Sequence, residues 1–320
     1  MGIDMTLLRD LCRHTLASTD FTGLGTRIEG KVRDSYVQGG RRVLIATDRV
    51  SAFDRVFGTI PLKGQVLNQT AAFWFEKTRG VAPNHLLSVP DPCVSIVREC
   101  ALLPIEFVVR GYLTGSTSTS IWVRYEAGDR LYCGHRLGDG LAKHQKLPAP
   151  LLTPTTKAPK GQHDELISKD EIVRRGILPA ALYERAEALT AALFRAGSEW
   201  AASRGLILVD TKYELGQDES GELVVIDEIH TPDSSRYWYR DTYEQALAQG
   251  RDPQALDKEY LRRWLVEQGW RGEGAPPPLP DDVRCEAARR YIEAYERITG
   301  SAFAPDLLPP LERIRANLGI

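Results

Sequence analysis

The chain has 320 residues, enough for a large core arranged as two domains or one elaborate one. Its 41 basic and 43 acidic residues leave a net charge of −2, which gives no reason to expect a nucleic-acid or membrane surface and points to a small-molecule partner. Five scattered cysteines without a C-x-x-C pair argue against a zinc site and for a reducing cytosol. The chain has no apolar run of membrane-spanning length and no signal-peptide pattern at its start, so a soluble, cytoplasmic protein is expected.

In chain order, residues 4–17 predict a packing helix with Asp4 as N-cap and Leu7, Leu8, Leu11 and Leu16 near one face. Gly39-Gly40 can turn one strand back on another, forming a basic hairpin. On it Lys31 and Arg33 share a face just beyond Gly23, Gly25 and Gly30, a pattern that can hold phosphates but matches neither a P-loop nor a dinucleotide fingerprint. An ordinary solvated hairpin is the plainer alternative. The polar stretch 47–54 after an apolar strand is either a ligand loop or an Asx-type turn. Residues 65–79 suit a helix whose Trp74 and Phe75 belong in the core.

Strands at 94–97 and 105–110 flank a link, 98–104, which could offer backbone groups to an adenine. Arg110 ends its strand before a glycine-containing turn and a helix-like stretch at 118–126, together an anion site to which Ser116 could add a hydroxyl, or where Ser116 or Ser118 simply caps the helix. Residues 134–164 read as a long irregular segment, which makes Lys157, His163 and Asp164 candidates. The stripe Leu182, Ala186, Leu189, Leu193, Ala196 and Trp200 predicts a long helix over 179–204 backing a sheet. Residues 234–249 read as helix capped by Asp233 or Ser234, and 257–268, 282–299 and 309–318 read as packing helices.

The most informative stretch is 206–236. Two apolar runs, 206–209 and 223–226, flank an Asp-Glu-Ser-Gly turn, so a β-hairpin is expected. A turn centred on Ser220-Gly221 would set Glu214 opposite Asp227, two carboxylates about 5 Å apart that need a neutralising cation, for which Mg²⁺ is the usual partner in phosphate-handling sites. Alternation by two puts Asp210, Lys212 and Glu214 on one face. Any one of these charges alone would be read as solvated surface. Their convergence with Asp227, Asp233 and Arg236 favours a site.

Six ordered blocks, GKVRDSY (30–36), TDRVSAFD (47–54), VVRGYLTGS (108–116), TPTTKAPKGQHDE (153–165), LVDTKYELG (208–216) and IDEIHTPDSSR (226–236), resemble the SAICAR synthetase family, in its longer single-function form. The resemblance implies an α+β fold of two lobes. Residues 1–104 would form an antiparallel nucleotide-binding lobe related to protein kinases and ATP-grasp enzymes, 105–256 a lobe for substrate and metal, and 257–320 a helical extension packed on the core. The implied activity belongs to purine biosynthesis: ATP-dependent ligation of L-aspartate to the carboxylate of carboxyaminoimidazole ribotide, through an acyl phosphate. ATP and Mg²⁺ are the implied cofactors, and these small molecules, rather than nucleic acid or membrane, are the implied partners.

Carried over by residue, Lys31 and Arg33 would lie over the ATP phosphates, Val97, Arg98 and Leu102 around the adenine, and Lys157 near the nucleotide, with Glu214 and Asp227 holding Mg²⁺. Arg110, Ser116, Asp210, Lys212 and Arg236 would bind the ribotide or stabilise its developing charge, with Asp164 and Asp233 also in the site. His163 or Asp164 is a candidate base for the aspartate amine. A small-molecule kinase could use similar lobes without requiring aspartate. A non-catalytic nucleotide sensor would show gaps at the metal or phosphate positions, and every one of them is filled.

Overall fold

The computed structural model describes residues 4–53, 55–157, 164–256 and 259–320. Helix α1 (Met5–Leu11) starts where Asp4 accepts from the Thr6 N–H. It stops six residues short of the expected end. Beyond it a buried carboxylate takes up a backbone N–H that the longer helix would have bonded internally, Leu16 donating to Asp48, and a second, Asp34, accepts from the Thr19 N–H that follows, each at 2.7 Å. Strands β1 (Thr26–Glu29), β2 (Arg33–Gln38) and β3 (Arg41–Ala46) follow, and Gly39 and Gly40, both with positive φ, make the expected turn between β2 and β3. Strands β4 (Arg49–Ala52) and β5 (Arg55–Thr59) form a small hairpin in the 47–54 region. Helix α2 (Lys63–Lys77) comes next, then β6 (Leu86–Asp91) and β7 (Val94–Arg98). The first sheet has the order β1-β2-β3-β7-β6.

Strand β8 (Ala101–Tyr112) begins much earlier than expected, so the anticipated 98–104 link shrinks to two residues. Its pairing with β13 breaks register between Glu214 and Gly216, opposite the part of β8 that contains Pro104, as the missing N–H of a proline favours. Helix α3 (Ile121–Glu126) falls on the expected helical stretch 118–126, and β9 (Leu131–Tyr132) follows; β10 (His135–Arg136), β11 (Lys146–Leu152) and β12 (Thr155–Thr156) then give the supposedly irregular 134–164 segment more structure than its prolines suggest. His163 lies outside the described residues. Helices α4 (Lys169–Arg174) and α5 (Ala180–Ser203) lead into the long strand β13 (Leu206–Gln217) and its hairpin partner β14 (Leu223–Ile226). Residues 235–239, expected as helix, are strand β15 (Ser235–Tyr239), and the helix α6 (Arg240–Ala248) starts only after them. Helices α7 (Glu259–Glu267), α8 (Asp281–Thr299) and α9 (Pro310–Leu318) match the helical expectations for the chain beyond residue 257.

The second sheet runs β11-β8-β13-β14, with β12 also on β8 and β15 also on β13. Its inner face and α5 share a core of Phe107, Leu193, Leu208, Tyr213 and Tyr237, to which α2 adds Trp74 and Phe75. Mixed helices and antiparallel sheets make the fold α+β, as expected.

Two details position the site. The first is a bulge in β13: Leu208 pairs with Tyr237 but Asp210 with Arg236, leaving Val209 as the extra residue. Leu208 lies in the core and so do Tyr213 and Leu215, so the bulge reverses the parity of the strand. Asp210, Lys212 and Glu214 consequently share the opposite face, as the alternation predicted.

The second detail is the start of α2. A Cβ on Gly64 would lie 2.3 Å from the Ala46 carbonyl oxygen, a backbone atom that cannot step aside. Gly64→Ala should therefore displace the helix start and cost about 2 kcal/mol, as overpacking does. Urea denaturation would show this as a lower midpoint at unchanged slope.

Candidate active site

A cleft of about 630 Å³ runs between the first sheet and the outer face of the second. From the β1–β2 turn comes exposed Lys31, and from β2 comes Arg33. The turn is fixed by its backbone: the buried Arg49 guanidinium donates to the carbonyls of Gly30 at 2.9 Å and Lys31 at 3.0 Å, and to Asp34 at 2.7 Å. Arg33 reaches across the cleft to Asp227 at 2.7 Å and Glu228 at 2.8 Å. Burial alone would weaken its hold on the proton, but these two carboxylates outweigh it and keep the guanidinium charged.

The β8–β13 face supplies the rest. Glu214 stands directly opposite Glu106, and Lys212 bridges the two, at 2.7 Å from Glu214 and 2.9 Å from Glu106. Lys157 binds the other oxygen of Glu214. Burial opposes ionisation of Glu214, yet Lys212 and Lys157 prevail and hold it well below the carboxylate range. Further along, Asp210 is paired with Arg110 on β8 and Arg236 on β15, with guanidinium nitrogens at 3.4 and 3.3 Å. Arg110 also donates to Thr153 at 2.9 Å.

The expected pairing of Glu214 with Asp227 does not occur. Gly221 adopts positive φ and takes up one residue in the turn, so Glu214 faces Ile226 and Asp227 leaves the ladder with a positive φ of its own. The facing carboxylate pair exists nonetheless, as Glu214 with Glu106. Asp227 is half-buried, and desolvation pushes its carboxyl up to about 6 despite Arg33, with Glu214 and Glu228 adding to the rise. A half-buried acid short of counter-charge beside other carboxylates fits a divalent cation. Among the described residues no cluster of three or more His, Cys, Asp or Glu forms a cage for one. Mg²⁺ in phosphate sites needs no cage, since one or two carboxylates and substrate oxygens suffice.

The cleft gathers Lys31, Arg33, Arg98, Leu102, Lys157, Asp164, Lys212, Glu214, Asp227 and Asp233 of the expected set. Val97 is a correction: it is wholly buried in β7 and does not line the cleft, because alternation along the strand turns it inward from Arg98. Ser116 is exposed and, with Arg236, lines a neighbouring cavity of about 350 Å³ whose walls include Thr114, Lys143 and Arg262. Sequence reasoning missed Glu106, Glu228, Lys63 and His85. A lone glutamate inside the apolar run IEFVVR was the available signal for Glu106, and none marked Lys63. A larger groove of about 1210 Å³, between α5 and the splayed ends of β8 and β13, carries none of the candidate residues.

The model of the SAICAR synthetase family matches residues 26–277. The chain belongs to the SAICAR synthetase family. A putative phosphoribosylaminoimidazole-succinocarboxamide synthase of Mesorhizobium japonicum is 48% identical over 95% of this chain and 98% of its own length. The chloroplastic synthase of Arabidopsis thaliana is 49% identical over 97% of this chain and 76% of its own. Among solved structures, the SAICAR synthase of Saccharomyces cerevisiae complexed with SAICAR superposes with a TM-score of 0.78 at 31% identity, covering 91% of this chain and all of that one. A type-2 SAICAR synthetase in complex with ADP, at 23% identity and TM-score 0.66, shares the fold. With family membership, the expected ATP-dependent ligase of purine biosynthesis stands, and the small-molecule kinase gives way.

The Asp227 carboxyl gives the site a pH signature. Its folded value, about 6, lies above the ordinary 3.8, so the stabilisation it contributes is fully present below about 4 and is lost as pH rises through 6. In chelator-treated protein, Asp227→Asn should remove that decline. Denaturation midpoints of wild type and variant would then separate progressively between about pH 4 and 6.

Proposed function

We propose that the cleft binds Mg·ATP along the first sheet and carboxyaminoimidazole ribotide along β8, β13 and β15, and there joins L-aspartate to the ribotide carboxylate. The observation that carries this reading is one sheet face on which Arg110, Asp210 and Arg236 stand in line with Lys212, Glu106 and Glu214; the last three face Lys31 and Arg33 across the cleft, and Arg236 opens onto the neighbouring cavity. Residues 1–104 act as the nucleotide lobe and 105–256 as the substrate lobe, with 257–320 packed on both. Leu102 and the Arg98 stem meet the adenine, with Val97 behind them. Lys31, Arg33 and Lys157 meet the phosphates. Glu214 and Asp227 hold Mg²⁺, which when bound offsets the charge of the phosphates. Arg110, Ser116 and Arg236 hold the ribotide, and Asp164 and Asp233 lie on its side of the cleft. The scattered thiols suit a cytosolic location.

The chemistry proceeds in two balanced steps. A ribotide carboxylate oxygen attacks the γ-phosphorus, the β–γ bridging bond breaks and ADP leaves with that electron pair. The amine of L-aspartate then attacks the acyl phosphate carbonyl, the C–O bond to phosphate breaks, and the nitrogen gives up a proton as the amide forms. Neither step needs a protein nucleophile. Both need negative charge to be positioned and offset, which a preorganised lysine does most effectively where water is scarce. Lys212 is such a lysine, because its two glutamates keep it protonated, with a pKa above the ordinary lysine range even though burial alone would lower it.

Lys212→Ala should cut kcat about a hundredfold, the scale of one preorganised electrostatic group. A change confined to the KM for ATP would remove Lys212 from the acceptor role. Asp227→Asn should abolish turnover with the fold retained, and near-wild-type rates at saturating Mg²⁺ would exclude Asp227 as a ligand. The overall reading is tested by following ADP release and amide formation with ATP, Mg²⁺ and the ribotide. Amide formation that depends on L-aspartate is expected. Stable phosphorylated ribotide formed without it would instead support a kinase.

A further inference from the structure

Lys63 opens α2 and has no exposed surface. Its Nζ lies 2.8 Å from Oδ2 of Asp233, while the Tyr291 hydroxyl donates to Oδ1 of the same carboxylate at 2.6 Å. The ammonium also sits 5.4 Å from the centre of the Tyr291 ring. Three remote segments meet here: the start of α2, the turn before β15, and α8. Asp233 lines the cleft with only 7% of its side chain exposed.

Burying such a pair is a poor route to stability, since apolar residues of similar size commonly serve as well. Orientation is what the arrangement does achieve. Lys63 is held by its surroundings as well as by its charge. Leu62 before it has a positive φ, Gly64 after it packs on the Ala46 carbonyl, and the Gly64 N–H donates to Asp48 at 2.9 Å. The anchor of the clamp therefore cannot drift, and Tyr291 fixes the second carboxylate oxygen from the opposite side.

We infer that Tyr291 is a positioning residue for the ligation. With Lys63 it clamps both oxygens of Asp233, so that a carboxylate of fixed orientation faces the acceptor side of the cleft, and α8 is part of that site rather than packing alone. The inference rests on the proposed placement of Asp233 beside the acceptor. The group it receives is a hydrogen-bond donor of an acceptor-side substrate, either a ribotide hydroxyl or amine or the ammonium of L-aspartate.

A double-mutant cycle on the full chain tests this, using Tyr291→Phe, Asp233→Asn and the pair, with thermal melts confirming that each is folded at the assay temperature. Phenylalanine keeps the ring and loses only the hydroxyl. Tyr291→Phe should raise the KM of the ribotide or of L-aspartate about tenfold, the scale of one hydrogen bond to a charged group, and leave the KM of ATP within about twofold. Whichever KM moves identifies the group that Asp233 receives. The double variant should be no worse in kcat/KM than Asp233→Asn alone. Multiplicative losses, an equal rise in the KM of ATP, or a Tyr291→Phe enzyme with wild-type constants beside a damaged Asp233→Asn enzyme would overturn the inference. Wild-type activity in Asp233→Asn would instead overturn the placement of Asp233 on which it rests.

Discussion

The bulge at Val209 is the constraint on which the candidate site depends. Strand β13 pairs with β8, β14 and β15, and its first half belongs to the core through Leu206 and Leu208. Continued without interruption, that parity would bury Asp210, Lys212 and Glu214 against α5 and turn Tyr213 and Leu215 out into the cleft. One extra residue exchanges the two sets. It also brings Asp210 level with Arg110 on one neighbour and Arg236 on the other, so a nearly buried carboxylate gains two cations from flanking strands rather than from its own.

Charge balance across the cleft explains why these residues can be so densely placed. Glu106, Glu214, Asp227 and Glu228 are interleaved with Arg33, Lys157 and Lys212, and each cation touches at least one carboxylate. In a partly buried site, an uncompensated member would change its protonation state or draw in a counter-ion. Asp227 shows that tendency, since burial and two neighbouring carboxylates outweigh its single arginine. The acidic side of the cleft is thus left slightly short of positive charge, while Lys31 and Arg33 stand over it. That is the polarity a magnesium-bound polyphosphate requires.

Much of this was legible in the chain, because the signals were local. Alternation along 206–217 placed Asp210, Lys212 and Glu214 correctly, Gly39-Gly40 marked the basic hairpin, and the apolar stripe of 179–204 marked α5. What failed depended on distant partners or on a single dihedral. The positive φ of Gly221 moved the hairpin register by one residue. SRYWY reads as the start of a helix although its aromatic residues suit a strand, because the unpaired β13 edge that it occupies is invisible from within the segment. Val97 is drawn inward by alternation in a strand that reads as ending in a link. Lys63 looks like an ordinary surface lysine. Its significance comes from Asp233 and Tyr291, 170 and 228 positions further along.

Helix α9 returns to the first sheet and is fastened there. Arg313 donates to both oxygens of buried Asp91, at 2.9 and 3.2 Å, Asn317 adds a bond of 2.8 Å, and Ile314 packs with Leu16, Phe21, Tyr36 and Ile45. Leu16 and Phe21, beyond α1, and Ile314 on α9 therefore close over the same strands that carry Arg33 and support the Lys31 turn. Opening of α9 would strip cover from the back of the strands that carry Arg33, which makes the two a single cooperative unit. Ligand binding at the front of that sheet would then be felt at its back, as slower amide exchange along α9 some 280 positions from Lys31.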